Sequence, residues 1–246
     1  MNILLSRILM YLNGAYQNDF YFKICKFIVF NYEEMMYMSE EEFLERGPFQ
    51  KLDLYSFIGT LGFTDYSEFQ LTLDANYQAR VNQIRMRLFD TTPEVFMSKM
   101  EKTMSDEEMT KIVEEICVHM FESKRIVIFG AYYPLSIAVE LQTDMITFGK
   151  PFIQFHRIDP ITLTKDDVAI IMSATGRSLD YYLKMDIHLQ DCFSVLLTQN
   201  KKYAARNSDN CRVVVLPGKF ESVDFNYQLM SICDLLRLEY FQQYYL

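Results

Sequence analysis

The chain has few of the residues that mark whole classes of function. Its five cysteines, Cys25, Cys117, Cys192, Cys211 and Cys233, are odd in number and scattered, with no C-x-x-C pair. That spacing supports neither a disulfide framework nor a zinc site, and it fits the reducing cytosol. Only three histidines are present, His119, His156 and His188, and their spacing is not that of metal ligands. A lone histidine in an apolar setting is more often a satisfied core residue than a ligand. No metal, cofactor or Ser-His-Asp order is expected from this pattern. Long apolar runs are missing too: the opening stretch, 3 to 12, contains Arg7, is too short to span a bilayer and leads to no small-residue cleavage site. It reads as an amphipathic first helix, with neither secretion nor membrane insertion expected. Basic charge is also short. Lys and Arg number 24 against 33 Asp and Glu, a net charge of −9, which argues against a strongly basic nucleic-acid binder while leaving room for a local basic face.

What is present is a core. At 246 residues and 50% hydrophobic, the chain has enough for one large domain or two small ones. Residues 1 to 90 lack strand-like alternation and carry helical spacing, as in Phe22, Cys25, Ile28 and Val29. Ser39-Glu40-Glu41-Glu42 is a capping box that starts a short helix through about Arg46, and Gly47-Pro48 stops it. A second helix should run from 51 to 60 and end at Leu61-Gly62-Phe63. Two short helices joined by a tight turn make a helix-turn-helix candidate. The segment holds 8 basic residues against 12 acidic ones, the reverse of the usual nucleic-acid footprint. Arg80, Arg85 and Arg87 cluster behind the candidate, either as backbone-contacting cations or as a solvated helix face.

Beyond a helix stop at Asp90-Thr-Thr-Pro93 and a second capping box at Ser105-Asp-Glu-Glu108, the pattern changes. Strands are expected at 125 to 130, 151 to 155, 168 to 172, 193 to 197 and 212 to 216. Helices are expected through 123, over 134 to 148, over 179 to 189, and from about 225 onward. Such alternation predicts an α/β domain with a mostly parallel sheet covered by helices on both faces. The division is a helical domain at 1 to 90, a linker at 91 to 106 and the α/β domain at 107 to 246. The strand 168 to 172 is wholly apolar, and Ser173-Ala-Thr-Gly-Arg-Ser178 then turns the chain toward a helix. Open α/β sheets bind ligands at such carboxyl ends. The hydroxyls of Ser173, Thr175 and Ser178, the flexible Gly176 and the N–H groups of a helix start suit a phosphate. The same hydroxyls equally suit the capping of a helix.

The run Leu61-Gly-Phe-Thr-Asp-Tyr-Ser-Glu-Phe69 resembles the end of the helix-turn-helix domain of RpiR-family transcriptional regulators. There, a recognition helix leads into Leu-Gly-Phe and an aromatic-Ser-Glu-Phe segment. The order of strands and loops in the second half resembles the SIS (sugar isomerase) domain, the second domain of those regulators. Ser173-Ala-Thr-Gly-Arg-Ser178 corresponds to the Ser-x-Ser-Gly-x-Thr phosphosugar motif, and Leu197-Thr-Gln-Asn200 resembles the Thr-Asn loop after the next strand. The resemblance covers nearly the whole chain and implies a helix-turn-helix domain followed by a SIS-like domain. It implies that Ser173, Thr175, Gly176, Ser178 and Thr198 hold a sugar phosphate, and that Gln50, Lys51, Asp53 and Ser56 read double-stranded DNA. At least a homodimer is expected, because the segment 227 to 245 is apolar and aromatic on more than one side and operator-reading helix-turn-helix proteins generally pair, and no catalytic residue is expected. Two departures stand out. Ser56 occupies the family's arginine position, leaving Lys51 as the helix's only cation, and Gly130-Ala-Tyr-Tyr-Pro134 replaces a glycine- and serine-rich turn. The two tyrosines either alter ligand access or line the pocket. The regulator of sugar metabolism therefore has an alternative, a phosphosugar-binding protein or isomerase that does not bind DNA. An isomerase needs a positioned base; Glu140 or His188 can be offered, and nothing in the spacing selects either.

Overall fold

Short polar residues ahead of apolar runs start the helices. In the computed structural model, which describes residues 3–220 and 224–245, α1 (Ile3–Gly14) is followed by α2 (Phe20–Phe30), α3 (Glu40–Arg46), α4 (Lys51–Thr60) and α5 (Tyr66–Leu88). Asp19 accepts the Phe22 N–H at 2.8 Å and Ser39 accepts the Glu42 N–H at 3.1 Å, each satisfying a donor that the first turn leaves unpaired. Gly62, at φ +93°, ends α4, with its N–H on Gly59 O and the Phe63 N–H on Ile58 O. The left-handed backbone there favours glycine. An aromatic cluster of Phe27, Phe43, Phe49, Tyr66 and Phe69 closes this region, with Phe27 and Phe43 edge to face at 5.0 Å. Burying each such side chain contributes roughly 1.5–3 kcal/mol.

α6 (Pro93–Met97) and α7 (Asp106–Glu122) come next, capped by Thr92 and by the Ser105/Glu108 box. The strands β1 (Arg125–Gly130), β2 (Phe152–Gln154), β3 (Asp167–Met172), β4 (Phe193–Thr198) and β5 (Cys211–Val215) pair in parallel in the order β2-β1-β3-β4-β5. All six residues of β3 and all six of β4 are buried. Successive strand side chains point to opposite faces, so both faces of the sheet are covered, as the alternation predicted. The last helix, α11 (Asp224–Tyr244), packs on α7. It buries Leu229, Ile232, Leu235, Leu236, Tyr240 and Phe241, which uses most of its apolar surplus inside the chain and leaves Tyr227 and Met230 exposed.

Two compact units result. One takes residues up to Met86 together with Thr143–Pro151 and Arg157–Asp159; the other takes Arg87–Gln142, Phe152–His156 and everything from Pro160 on. Residues 143 to 151 and 157 to 159 fall by sequence in the α/β domain yet group with the helical unit. The buried Arg80–Asp144 pair accounts for part of this. Arg80 Nε donates to the Asp144 carboxylate at 2.9 Å and its Nη2 to the same oxygen, and Asp144 is 0% exposed. Arg80 is thus neither a solvated face nor a cation available to a phosphate, as its place in an arginine cluster had suggested. A buried charge demands a partner, and this one has it.

Two expected helices differ in extent. The one expected over 134 to 148 breaks at Ala138 into α8 (Tyr132–Ile137) and α9 (Val139–Thr147). The one expected over 179 to 189 is the short α10 (Arg177–Tyr182). After it the chain tightens into i to i+3 bonds, turns Ile187 and Leu189 into the core, and gives the Ile187 carbonyl to the Leu163 N–H at 2.8 Å. Burial and that bond outweigh continued helix.

Candidate functional site

In the sheet order, β1 is followed in sequence by β2 on one side and by β3 on the other, so the strand order reverses between β1 and β3. Ligands of open α/β sheets bind outside the carboxyl ends at such a switch point. The loop leaving β3 is Ser173 to Ser178, and the one leaving β1 starts at Gly130.

The backbone groups of the β3 loop divide by kind. Ser173 O accepts the Gly176 N–H at 2.9 Å. Ala174 O accepts both the Thr198 hydroxyl, at 3.0 Å, and the Gln199 N–H, at 3.1 Å; Thr175 O accepts the Asn200 side-chain amide at 2.9 Å. Three successive carbonyls are therefore turned inward, most of them toward the loop that follows β4. The N–H groups of Ala174 and Thr175 donate to no described residue. The side chains follow the same rule. Ser173 Oγ accepts the Ser178 N–H at 3.4 Å, and Thr175 Oγ1 accepts Arg177 N and Nε at 3.3 Å each, which leaves both hydroxyl hydrogens to be donated outward. Negative dipoles are sequestered and positive ones remain, the arrangement of an anion-binding concavity. α10 spans only six residues, so its dipole adds little; the loop's own donors carry the electrostatics.

Gly176 sits at φ +78° under the ring of Tyr203, which belongs to the 3-10 turn Lys201–Arg206, and a Cβ at 176 would run into that ring. Tyr203 donates its hydroxyl to Asp180, which also accepts Arg206 Nη2 at 3.1 Å. Burial, and then the bond to Asp180, push the Tyr203 phenol above its ordinary value, so it stays a donor. Thr198 is 0% exposed, with its hydroxyl donating to Ala174 O and accepting the Asn200 N–H at 3.1 Å. It holds the β3 and β4 loops together from within. The sequence did not mark Tyr203 at all; the polar run after β4 was the available signal.

The β1 loop is tight where it meets β3: a Cβ on Gly130 would stand 3.1 Å from Met172 O. Its tyrosines are 81% and 74% exposed, edge to face at 6.0 Å, and the Ser136 hydroxyl donates to Tyr132 O at 2.9 Å. Both rings stand in solvent. Glu140, at the start of α9, is paired with Arg87 at 2.8 Å and Arg237 at 3.2 Å, and His188 is half exposed between Asp186 and Asp191. Burial pushes the thiols of Cys192 and Cys233 up to about 12, which keeps them un-ionised. Among the described residues no group of three His, Cys, Asp or Glu is placed to hold a metal, and no helix is long and apolar enough to cross a membrane.

In the helical unit, α3 and α4 form the expected pair, and the four residues named for DNA lie at or on α4. The Asp53 carboxylate accepts the Gln50 N–H at 2.9 Å and so caps the helix. Lys51 Nζ is 2.8 Å from Glu40 Oε1 and lies 5.3 Å from the Tyr55 ring centre. The Ser56 hydroxyl is 3.0 Å from Tyr21 OH, which also meets Thr60 Oγ1 at 3.1 Å.

No family model matches this chain, and no curated protein does. Solved structures do. The Vibrio vulnificus NanR protein complexed with ManNAc-6P is similar at 13% identity, over 98% of this chain and 92% of that one, with a TM-score of 0.46. A hypothetical protein of Methanococcus jannaschii, inferred to be a 3-hexulose-6-phosphate isomerase, is similar at 15% identity over 61% of this chain and 86% of its own, with a TM-score of 0.47. At these values the chemistry of the site rests on its own geometry.

Proposed function

We propose that this chain is a sensor of a phosphorylated sugar, bound at the β3–α10 loop, with the helical unit as its output module on DNA. One observation carries the ligand: the loop's carbonyls are engaged by the protein while its adjacent N–H groups and hydroxyl hydrogens are left to donate, beside the switch point of a parallel sheet. Calorimetry with hexose 6-phosphates and their unphosphorylated parents tests it. Binding of the phosphorylated forms alone is the expected result, and equal affinity for both sets overturns it.

The role is binding and not catalysis, because the acidic groups nearby are already paired. Asp180 accepts from Tyr203 and Arg206, and Glu140 is paired with Arg87 and Arg237, so both carboxylates are engaged by the protein's own donors and neither stands as a free base. An assay for aldose–ketose conversion of each bound sugar phosphate checks this, and turnover refutes it.

A second reading keeps the phosphosugar site and denies the helical unit its DNA. It is favoured by α4, where the one cation is paired with Glu40 and the polar side chains are bonded within the unit. Fluorescence anisotropy on the chain's own promoter region separates the two: saturable binding at about 50 mM salt, where phosphate contacts are strong, supports the sensor on DNA. At least a dimer belongs to that reading, since paired half-sites demand paired recognition helices. Light scattering giving the monomer mass of 29.2 kDa at micromolar concentration overturns it.

A further inference from the structure

Gln199 follows the last residue of β4 and is 5% exposed. Its N–H is bonded to Ala174 O at 3.1 Å, so its main chain is fixed to the β3 loop, and its side-chain Nε2 donates to Pro217 O at 3.1 Å. That donation settles which end of the carboxamide is which: the nitrogen faces Pro217 and the oxygen faces away. The oxygen, Oε1, is buried and has no hydrogen-bond partner among the described residues. Gly218, at φ +102°, makes room for the group, since a Cβ there would stand 2.9 Å from Gln199 Nε2. A buried acceptor without a donor is costly and infrequent.

We propose that Gln199 Oε1 is the acceptor for a hydroxyl hydrogen of the ligand, and so selects a polyhydroxylated phosphate ester over a bare phosphate. The assignment rests on the phosphosugar reading of the loop and divides the work chemically. The β3 loop offers donors, which suit the phosphate oxygens. Gln199 offers an acceptor, which phosphate dianion cannot satisfy and a sugar hydroxyl can. A site with a buried acceptor discriminates most strongly against ligands that lack the matching donor.

The experiment uses the full chain and calorimetry. Inorganic phosphate measures the loop alone; glucose 6-phosphate, fructose 6-phosphate, their N-acetylhexosamine counterparts and a deoxy series of the tightest binder measure the second contact. The parent chain is expected to bind at least one sugar phosphate about tenfold or more tighter than inorganic phosphate, the size of one hydrogen bond to a buried group. One deoxy analogue should lose that preference. Gln199→Met should lose it too, with phosphate affinity unchanged and with no further loss for that same analogue. A preference retained in Gln199→Met, additive losses for variant and analogue, or a parent chain that binds phosphate and no sugar phosphate more tightly each overturns the assignment. The deoxy series in the parent chain is informative even where the variant fails to fold, since no single hydroxyl mattering also overturns it. Absence of any phosphate binding removes the loop reading itself and is thereby distinguishable.

Discussion

The helix α4 and the β3 loop are both short and both carry clustered polar side chains, yet they use their hydrogen-bonding capacity in opposite ways. In α4, Asp53 caps, Lys51 pairs with Glu40, and Ser56 and Thr60 share Tyr21. Both signs of polarity are taken up inside the unit. In the β3 loop the carbonyls of Ser173, Ala174 and Thr175 are taken up, by Gly176, Thr198, Gln199 and Asn200, while the N–H groups of Ala174 and Thr175 and the hydroxyl hydrogens of Ser173 and Thr175 remain. Counting which polar groups the fold consumes, and of which sign, separates a surface that holds itself together from one that still has a partner to find.

The largest effect expected is on the loop. Ser173→Ala combined with Thr175→Ala removes two hydroxyl donors to an anion, worth roughly 1.5–3 kcal/mol each. The sugar-phosphate affinity measured by calorimetry should fall by more than a hundredfold. An unchanged affinity would mean that the hydroxyls are only caps and that the contrast with α4 fails.

Next comes the helical unit's internal satisfaction. Asp144→Ala leaves the Arg80 guanidinium, 6% exposed, without its carboxylate, and breaking such a pair costs about 3–5 kcal/mol. Urea unfolding reads this as a lower midpoint; a loss below about 1 kcal/mol would show that Arg80 swings out to water.

A smaller effect tests the loop's own scaffold. Gly176→Ala places a Cβ in left-handed backbone, at roughly 1–2 kcal/mol, and against the Tyr203 ring. Phosphate affinity should fall together with stability, because the ring, Asp180 and the turn of the loop move as one. A variant with parental stability and affinity would show that Tyr203 does not press on the loop.

Most of the frame could be read from residue order, because its causes are local. Ser39, Ser105 and Gly62 act within one turn of themselves, and the apolar strands declare a sheet buried on both faces. The loop hydroxyls were legible for the same reason. What could not be read lies across long separations. The Arg80–Asp144 pair spans 64 positions, and Asn200 reaches Thr175 over 25. Tyr203 carried no spacing signal. Where local propensity and distant packing competed, as after Tyr182, packing decided.

The smallest effect, and the one that bears most directly on α4, comes from Glu40→Gln. Lys51 holds the Glu40 carboxyl below the usual carboxylate range. A depressed carboxylate stabilises the folded state above the ordinary carboxylate range and loses that contribution as pH falls through its folded value. The pair is solvent-exposed on the lysine side, so removing it should leave the unfolding midpoint close to the parent's. What it changes is charge. Glu40→Gln frees Lys51 and removes a like charge from the path of a phosphate. If α4 enters a major groove, the variant should bind the promoter more tightly, and its log–log salt dependence should steepen by about 0.9, one phosphate contact. If parent and variant both show no saturable anisotropy change at about 50 mM salt, a regime where one freed cation counts, then α4 is a structural helix. The contrast between the two regions then becomes complete, with one surface closed on itself and the other open to an anion.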